Sequence, residues 1–230
     1  MTGDATTTTH RAALKFFHGP MDCGKSTLAL QMDYNHARQG RRGLVLTRND
    51  RSRQPRVTTR IGLAHAAIEV TEDLDLRDLV AARSRPGDRL DYLICDEACF
   101  YTVAQVEQMA DLVDGAGVDV YAFGLATDFR SELFPAARRL FELADEVARI
   151  QVEVLCWCGR PGLLNARVLA GRVVREGAQV VIGDTARLVF DDGDGDPDEP
   201  EPVRYQVLCR RHHRHGELGP HPSDGARPVA

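Results

Sequence analysis

The sequence predicts an α/β fold in which a parallel sheet carries helices on both faces, followed by a smaller C-terminal unit. Three observations lead there. Short apolar runs alternate with segments of helical spacing from residue 13 to about residue 150. The first run ends in a glycine-framed turn, Gly19-Pro20-Met21-Asp22-Cys23-Gly24-Lys25-Ser26, of the G-x-x-x-x-G-K-[ST] kind that opens a helix. The alternation then stops, and the rest of the chain is punctuated by two cysteine clusters, Cys156-Trp157-Cys158 and Cys209-Arg210-Arg211-His212.

Each element follows from a local cue. Residues 13–18 form a short apolar strand ending at Gly19, and residues 26–39 read as a helix closed by Gly40. Residues 43–48 are a second strand. Residues 49–60 are polar and arginine-rich and read as a loop, and 67–70 as a short strand. Leu74, Leu76, Leu79 and Val80 give residues 73–83 helical spacing. Pro86-Gly87 marks a turn, and 90–95 is a compact apolar run fit for a buried parallel strand. Thr102 caps a helix running to about 114, and 118–124 is a further strand. Pro135 opens a helix to 143 in the manner of a first-turn proline, and 147–155 is the last strand of the series.

The expected organisation is a flexible tail (1–12), a nucleotide-binding domain (13–150), a metal-binding domain (151–216) and a second flexible tail (217–230). Inside the third segment, 185–203 is expected to be disordered: seven of the eleven residues 191–201 are acidic, and they repel one another among glycines and prolines.

Composition excludes several classes. The chain has 230 residues, enough to bury a proper core, and its 43% hydrophobic and 27% charged residues are those of a soluble globular protein. A net charge of −5 gives no long-range attraction for phosphate backbones, which disfavours a general nucleic-acid binder. No apolar run approaches a membrane span, and the threonine-rich N-terminus lacks the apolar core of a secretory signal. Six cysteines are too few for a disulfide scaffold, so their pattern fits a reducing cytoplasm and a metal.

The residue types explain the chemistry. Glycines let the backbone N–H groups of 19–24 curl around phosphate oxygens, and the following helix N-terminus adds positive potential. Lys25 puts a point charge on the outer phosphates, and the Ser26 hydroxyl is a ligand for Mg²⁺. Of the 29 basic residues only Lys15 and Lys25 are lysine, so a lysine in this slot is informative. The run at 90–95 ends in Asp96-Glu97. Ligands of open α/β sheets bind at the carboxyl ends of strands, and consecutive residues there point in different directions. Asp96 therefore suits the Mg²⁺ role, and Glu97 suits a base taking a proton from an attacking hydroxyl or water. Two knuckles, each with a ligand pair, are the usual source of a tetrahedral structural zinc site, which makes the C-terminal unit a zinc ribbon. Thiolates plus imidazole favour zinc over magnesium or calcium. His213 and His215 rival His212 as the fourth ligand, and C-x-x-H spacing favours His212. Cys23, Cys95 and Cys99 are expected to pack as small hydrophobes.

The strings GPMDCGKST (19–27), TTRIGLAHAA (58–67), ICDEACFY (94–101), YAFGLATDFRSELFP (121–135), LCWCGRPG (155–162), GAQVVIGD (177–184) and YQVLCRRHH (205–213), in this order and spacing, resemble the tetrameric, zinc-containing (type II) thymidine kinase family. The resemblance implies a P-loop NTPase sheet of the RecA-like type with a C-terminal zinc-ribbon lasso that lowers a loop over the nucleoside. It implies transfer of the ATP γ-phosphoryl to the 5′-hydroxyl of thymidine or deoxyuridine in pyrimidine salvage, with Glu97 as general base. It implies ATP on Gly19, Pro20, Met21, Asp22, Cys23, Gly24, Lys25, Ser26 and Thr27, with Asp96 and Mg²⁺. Thymine would lie among Met21, Phe100, Leu125, Phe129 and Phe134, and be read largely by the main chain of 179–184, including Gln179, Val181 and Gly183, together with Tyr205. Zinc would be held by Cys156, Cys158, Cys209 and His212. A cytoplasmic homotetramer, inhibited by thymidine triphosphate and binding neither nucleic acid nor membrane, completes the expectation. Arg60 and Arg130 are candidates for stabilising charge on the transferring group, or are surface arginines. The sequence departs from the family pattern at Cys99, where glutamine is usual, at Asp184, where the lid motif usually has its second glycine, and in the acidic insertion. Two rival functions share the phosphate turn: a DNA-stimulated P-loop ATPase, and a zinc-ribbon interaction module with a regulatory nucleotide site.

Overall fold

In the central strands, alternate side chains diverge to opposite faces of one sheet, and both faces are covered. A computed structural model describes residues 11–48, 55–59, 61–85, 87–180, 184–185 and 203–219. The main sheet contains β1 (Leu14–His18), β2 (Gly43–Thr47), β5 (Ile68–Glu69), β6 (Tyr92–Cys95), β7 (Asp119–Gly124) and β8 (Glu146–Arg149), in the order β5-β2-β6-β7-β1-β8. Every pairing in it is parallel. Leu14, Phe16, Leu93, Cys95, Val120 and Ala122 pack on one face, against α2 (Leu76–Arg83), α3 (Val103–Asp111) and α4 (Pro135–Leu143). Tyr92, Ile94, Tyr121 and Phe123 pack on the other, with Ala29 of α1 (Lys25–Arg38). Period-two divergence from apolar strands thus produces the two helical layers.

The helix starts follow their caps. Asp75 accepts from the N–H groups of Arg77 and Asp78, so α2 begins at Leu76 rather than at residue 73. Thr102 and Gln105 form a reciprocal capping box at the head of α3, which runs on into a π-helical turn, Leu112–Ala116, ended by Gly117 at φ 64°. Pro135 is the first-turn residue of α4.

Two sequence expectations need correction. The expected loop 49–60 contains β3 (Arg56–Thr58), which pairs antiparallel with β4 (Ala64–Ala66). Its one apolar side chain, Val57, is 1% exposed and joins the α1 face of the core, so burial of a single residue overrides the polar composition around it. The expected strand 147–155 ends at Arg149, because among the described residues β8 is an edge strand paired only with β1, whose register stops at His18↔Arg149 where the glycine-framed turn begins.

The chain beyond builds a second, four-stranded sheet of β9 (Leu164–Leu169), β10 (Arg172–Val174), β11 (Asp184–Thr185) and β12 (Arg204–Leu208), in the order β10-β9-β12-β11, followed by α5 (Arg210–His215). β9 is antiparallel to both neighbours. Its small core consists of Cys156, Ala166, Leu208 and Cys209. The acidic stretch 191–201, Arg60, Val181, Gly183 and most of the two expected tails lie outside the described residues. Among the described residues, no helix is long and apolar enough to cross a membrane.

Candidate active site

The turn after β1 is built by close approach. A Cβ on Gly19 would sit 2.5 Å from the Sγ of Cys23, so the turn closes only around a glycine. Gly24 takes the left-handed conformation at φ 80° and contributes no side-chain cap to α1, whose first turn also lacks acids. The leading N–H groups of that helix are thus presented to an anion. Lys25 is buried, and its Nζ donates to the carbonyl of Pro20 at 2.8 Å and of Gly19 at 3.5 Å.

At the carboxyl end of β6 the two acids separate. Asp96 points into the protein, where its Oδ2 accepts from the Ser26 hydroxyl at 2.9 Å. Burial, reinforced by the charge of Glu97, raises its pKa above the usual carboxylate range. Its Oδ1 is buried with no hydrogen-bond partner among the described residues. An unsatisfied carboxylate oxygen beside a hydroxyl, both next to a phosphate turn, is a donor set that fits Mg²⁺. Glu97 adopts φ 52°, the left-handed region, and heads a short 3₁₀ turn, Ala98–Phe100. That backbone reversal turns its side chain into the cleft. Cys99 donates its thiol to Glu97 Oε2 at 3.8 Å, and burial lifts the thiol pKa well above its ordinary value, keeping it protonated.

The turn carrying Glu97 rests on Gly124 at the end of β7. A Cβ there would lie 2.9 Å from the Cys99 backbone nitrogen and 3.2 Å from its Cβ. Gly124→Ala is expected to cost about 1–3 kcal/mol of stability through overpacking and to lower turnover by displacing Glu97. Chemical denaturation and steady-state kinetics check both.

A cleft of about 1190 Å³ joins these groups, lined by Met21, Asp22, Gly24, Lys25, Ser26, Thr27, Glu97, Phe100, Leu125, Phe129, Phe134, Gln179 and Tyr205 among others. Phe100 meets Phe134 edge-on at 5.3 Å between ring centroids. Pro20 holds Lys25 through its carbonyl, while Cys23 packs in the core beneath the turn. Cys95 and Cys99 pack in the opposite core layer. Arg130 is tied to Asp128 through Nε at 3.1 Å and Nη2 at 3.0 Å.

Four residues reach the site whose roles there the sequence did not assign. Asn165 of β9 accepts from the Met21 backbone N–H at 2.8 Å and is buried, a polar interruption in an apolar strand being its only cue. Asp128, fully buried at its side chain, also accepts from Gln179 Nε2 at 3.3 Å. Arg167 of β9 and His213 of α5 both contact Phe129.

The ligand atoms of Cys156, Cys158, Cys209 and His212 all lie within 4.8 Å of one another. Cys156 Sγ is 3.3 Å from His212 Nδ1, and Cys158 Sγ is 4.0 Å from Cys209 Sγ. Three thiols and one imidazole nitrogen at this spacing fit a zinc ion. Trp157 stacks on the His212 ring at 4.2 Å, and Glu217 approaches its Nε2 at 3.4 Å, orienting the ring from outside. His213 is turned the other way. Its Nε2 lies 2.9 Å from the Phe129 carbonyl, which only accepts, so Nε2 carries the proton and Nδ1 accepts from the Ser131 hydroxyl at 3.3 Å. His215 is exposed and pairs with Glu217.

The family profile described as thymidine kinase matches residues 12–189. A thymidine kinase of Cutibacterium acnes is 50% identical over 208 residues, covering 90% of this chain and 91% of its own. One from Streptomyces coelicolor is 49% identical over 201 residues, covering 87% and 88%. One from Legionella pneumophila is 33% identical over 211 residues, covering 90% and 92%.

Proposed function

The chain belongs to the thymidine kinase family, and from that premise we propose that it transfers the γ-phosphoryl group of ATP to the 5′-hydroxyl of thymidine or deoxyuridine, in pyrimidine salvage. The observation that carries this reading is the position of Glu97, on the wall of the one cleft that also contains Lys25 and the aromatic pocket. Glu97 accepts the proton of the 5′-hydroxyl as its oxygen bonds to the γ-phosphorus and the bond to the β,γ-bridging oxygen breaks, releasing ADP. Lys25 leaves its carbonyl partners for the phosphate oxygens, and the N–H groups at the head of α1 take the remaining charge. Ser26 and Asp96 would hold Mg²⁺, which when bound neutralises phosphate charge. Phe100, Phe134 and Leu125 supply a flat apolar slot that admits hydrogen or methyl at the pyrimidine 5-position and resists a purine. Closure over this slot excludes water, the competing acceptor.

Cys156, Cys158, Cys209 and His212 would together fill the four positions of a zinc ion and leave none open, so a zinc ion held there would be structural. Two sheets with separate cores support a division into a phosphate-binding unit, 13–150, and a metal-binding lid unit, 151–216. A cytoplasmic homotetramer inhibited by thymidine triphosphate belongs to the same reading.

The test is radiolabelled ATP with a nucleoside panel, with and without single-stranded DNA. Thymidine and deoxyuridine are expected to become labelled, with purine nucleosides unlabelled and DNA without effect. Phosphate release driven by DNA, with no labelled nucleoside, would replace this reading by that of a DNA-stimulated ATPase.

A further inference from the structure

We propose that Arg167 is a positioning residue of the nucleoside lid, setting the direction in which the main chain at 178–180 presents its hydrogen-bonding groups. The proposal rests on the nucleoside-kinase reading above. Arg167 is 4% exposed, an unusual burial for an arginine, and no carboxylate pairs with it among the described residues. Its donors are used in another way. Nη1 donates to the Ala178 carbonyl at 2.8 Å, Nη2 to the Gln179 carbonyl at 3.1 Å, and Nε to the Tyr205 hydroxyl at 3.1 Å. The guanidinium lies 3.7 Å from the centroid of the Phe129 ring and 5.7 Å from that of Tyr205. A rigid planar fork, held by a ring face, thus grips two successive lid carbonyls.

In a trans peptide the N–H points opposite to the C=O of the same unit. With the carbonyls of Ala178 and Gln179 turned onto Arg167, the N–H groups of Gln179 and Val180 face away from it. Gln179 and Val180 both line the cleft. Arg167 therefore determines which main-chain groups of this segment a base edge meets, without touching the base itself. The ring it rests on is held independently, since the Phe129 carbonyl accepts from His213. Lysine cannot replace this arrangement, because an ammonium has neither the plane nor the paired donors.

The experiment compares Arg167→Lys and Tyr205→Phe with the unaltered chain. It reads amide hydrogen exchange of 176–180 without nucleoside, and steady-state kinetics with thymidine and ATP. For Arg167→Lys, exchange of that segment accelerates, and the thymidine KM rises about ten-fold while kcat and the ATP KM stay within about two-fold. Tyr205→Phe removes one acceptor and keeps the ring, so the thymidine KM rises about three-fold in the same pattern. If Arg167→Lys disrupts the C-terminal sheet, shown by lost protection across β9 and β12, the exchange of 176–180 in Tyr205→Phe decides, since Tyr205 itself lines the cleft. Unchanged exchange at 176–180, or a fall in kcat with the thymidine KM unchanged, overturns the proposal. Absence of nucleoside turnover by the unaltered chain overturns the kinase reading instead, and the exchange result then decides whether Arg167 holds the segment.

Discussion

Glu97→Gln is expected to lower thymidine phosphorylation by about 10²–10⁴-fold, the range that a lost general base commands, while ATP binding stays as it was. The substitution keeps volume and hydrogen-bonding capacity and removes only the ability to take a proton. Glu97 sits outside the phosphate turn, on a left-handed residue that heads the turn 98–100. The groups proposed to hold ATP, from Gly19 to Thr27, lie in the turn between β1 and α1 and at the head of α1, on a different segment from Glu97. Asp96, its neighbour, is directed onto the Ser26 hydroxyl. Removal of Glu97's charge also takes away one of the two causes that raise Asp96's pKa, so Asp96, the carboxylate proposed to hold Mg²⁺, ionises more readily, and binding of ATP with Mg²⁺ is expected not to weaken. Single-turnover kinetics together with nucleotide titration separate the two roles. Retained turnover, or a loss of ATP affinity matching the loss of rate, removes Glu97 as the base.

Stripping the metal from the Cys/His cluster is expected to unfold the C-terminal sheet while leaving the six-stranded sheet in place. The argument is one of core size. Of the four buried residues in the C-terminal core, Cys156 and Cys209 belong to the Cys/His cluster, and Ala166 and Leu208, with Val173 and Leu218 partly buried against them, form too small a core to sustain four strands. In small metal-bound units the binding free energy, on the order of 10 kcal/mol for zinc, is the folding free energy. Chelation, or Cys209→Ser, should therefore abolish amide protection in β9 and β12 and preserve it in β1, β6 and β7. Because Asn165 and His213 lie on the affected unit and hold Met21 and Phe129, the thymidine KM should rise by at least about ten-fold, two hydrogen bonds being lost. Protection in β9 that survives complete metal removal would show that the sheet stands without the ion.

The features readable in the chain are those set within a few residues. The phosphate turn needs Gly19, Gly24, Lys25 and Ser26 in one short span, and helix caps such as Thr102 and Asp75 act on the next turn. The two cysteine knuckles declare their chemistry by residue type. Long-range pairing was less readable. Arg56–Thr58 has the composition of a loop and becomes a strand because Val57 finds the α1 face. Residues 147–155 keep an apolar character beyond Arg149, yet the strand stops where β1 stops offering partners. His212 and His213 are adjacent in sequence, and helical geometry sends one to the thiols and the other to Phe129.

By itself, then, the sequence indicated the parallel α/β architecture, the glycine-framed turn with its lysine, the acid pair at the end of β6 and the three cysteines of the Cys/His cluster, with C-x-x-H spacing favouring His212 as the fourth member. Each of these is a local pattern whose backbone and chemistry are set by near neighbours. Only the tertiary structure decided that Glu97 enters the cleft from a left-handed backbone, that Asn165 reaches Met21 and that one buried arginine among many grips the carbonyls of Ala178 and Gln179. These roles depend on partners tens of residues away in the chain, or on a single left-handed residue, and neither composition nor periodicity encodes which side chains burial will bring together.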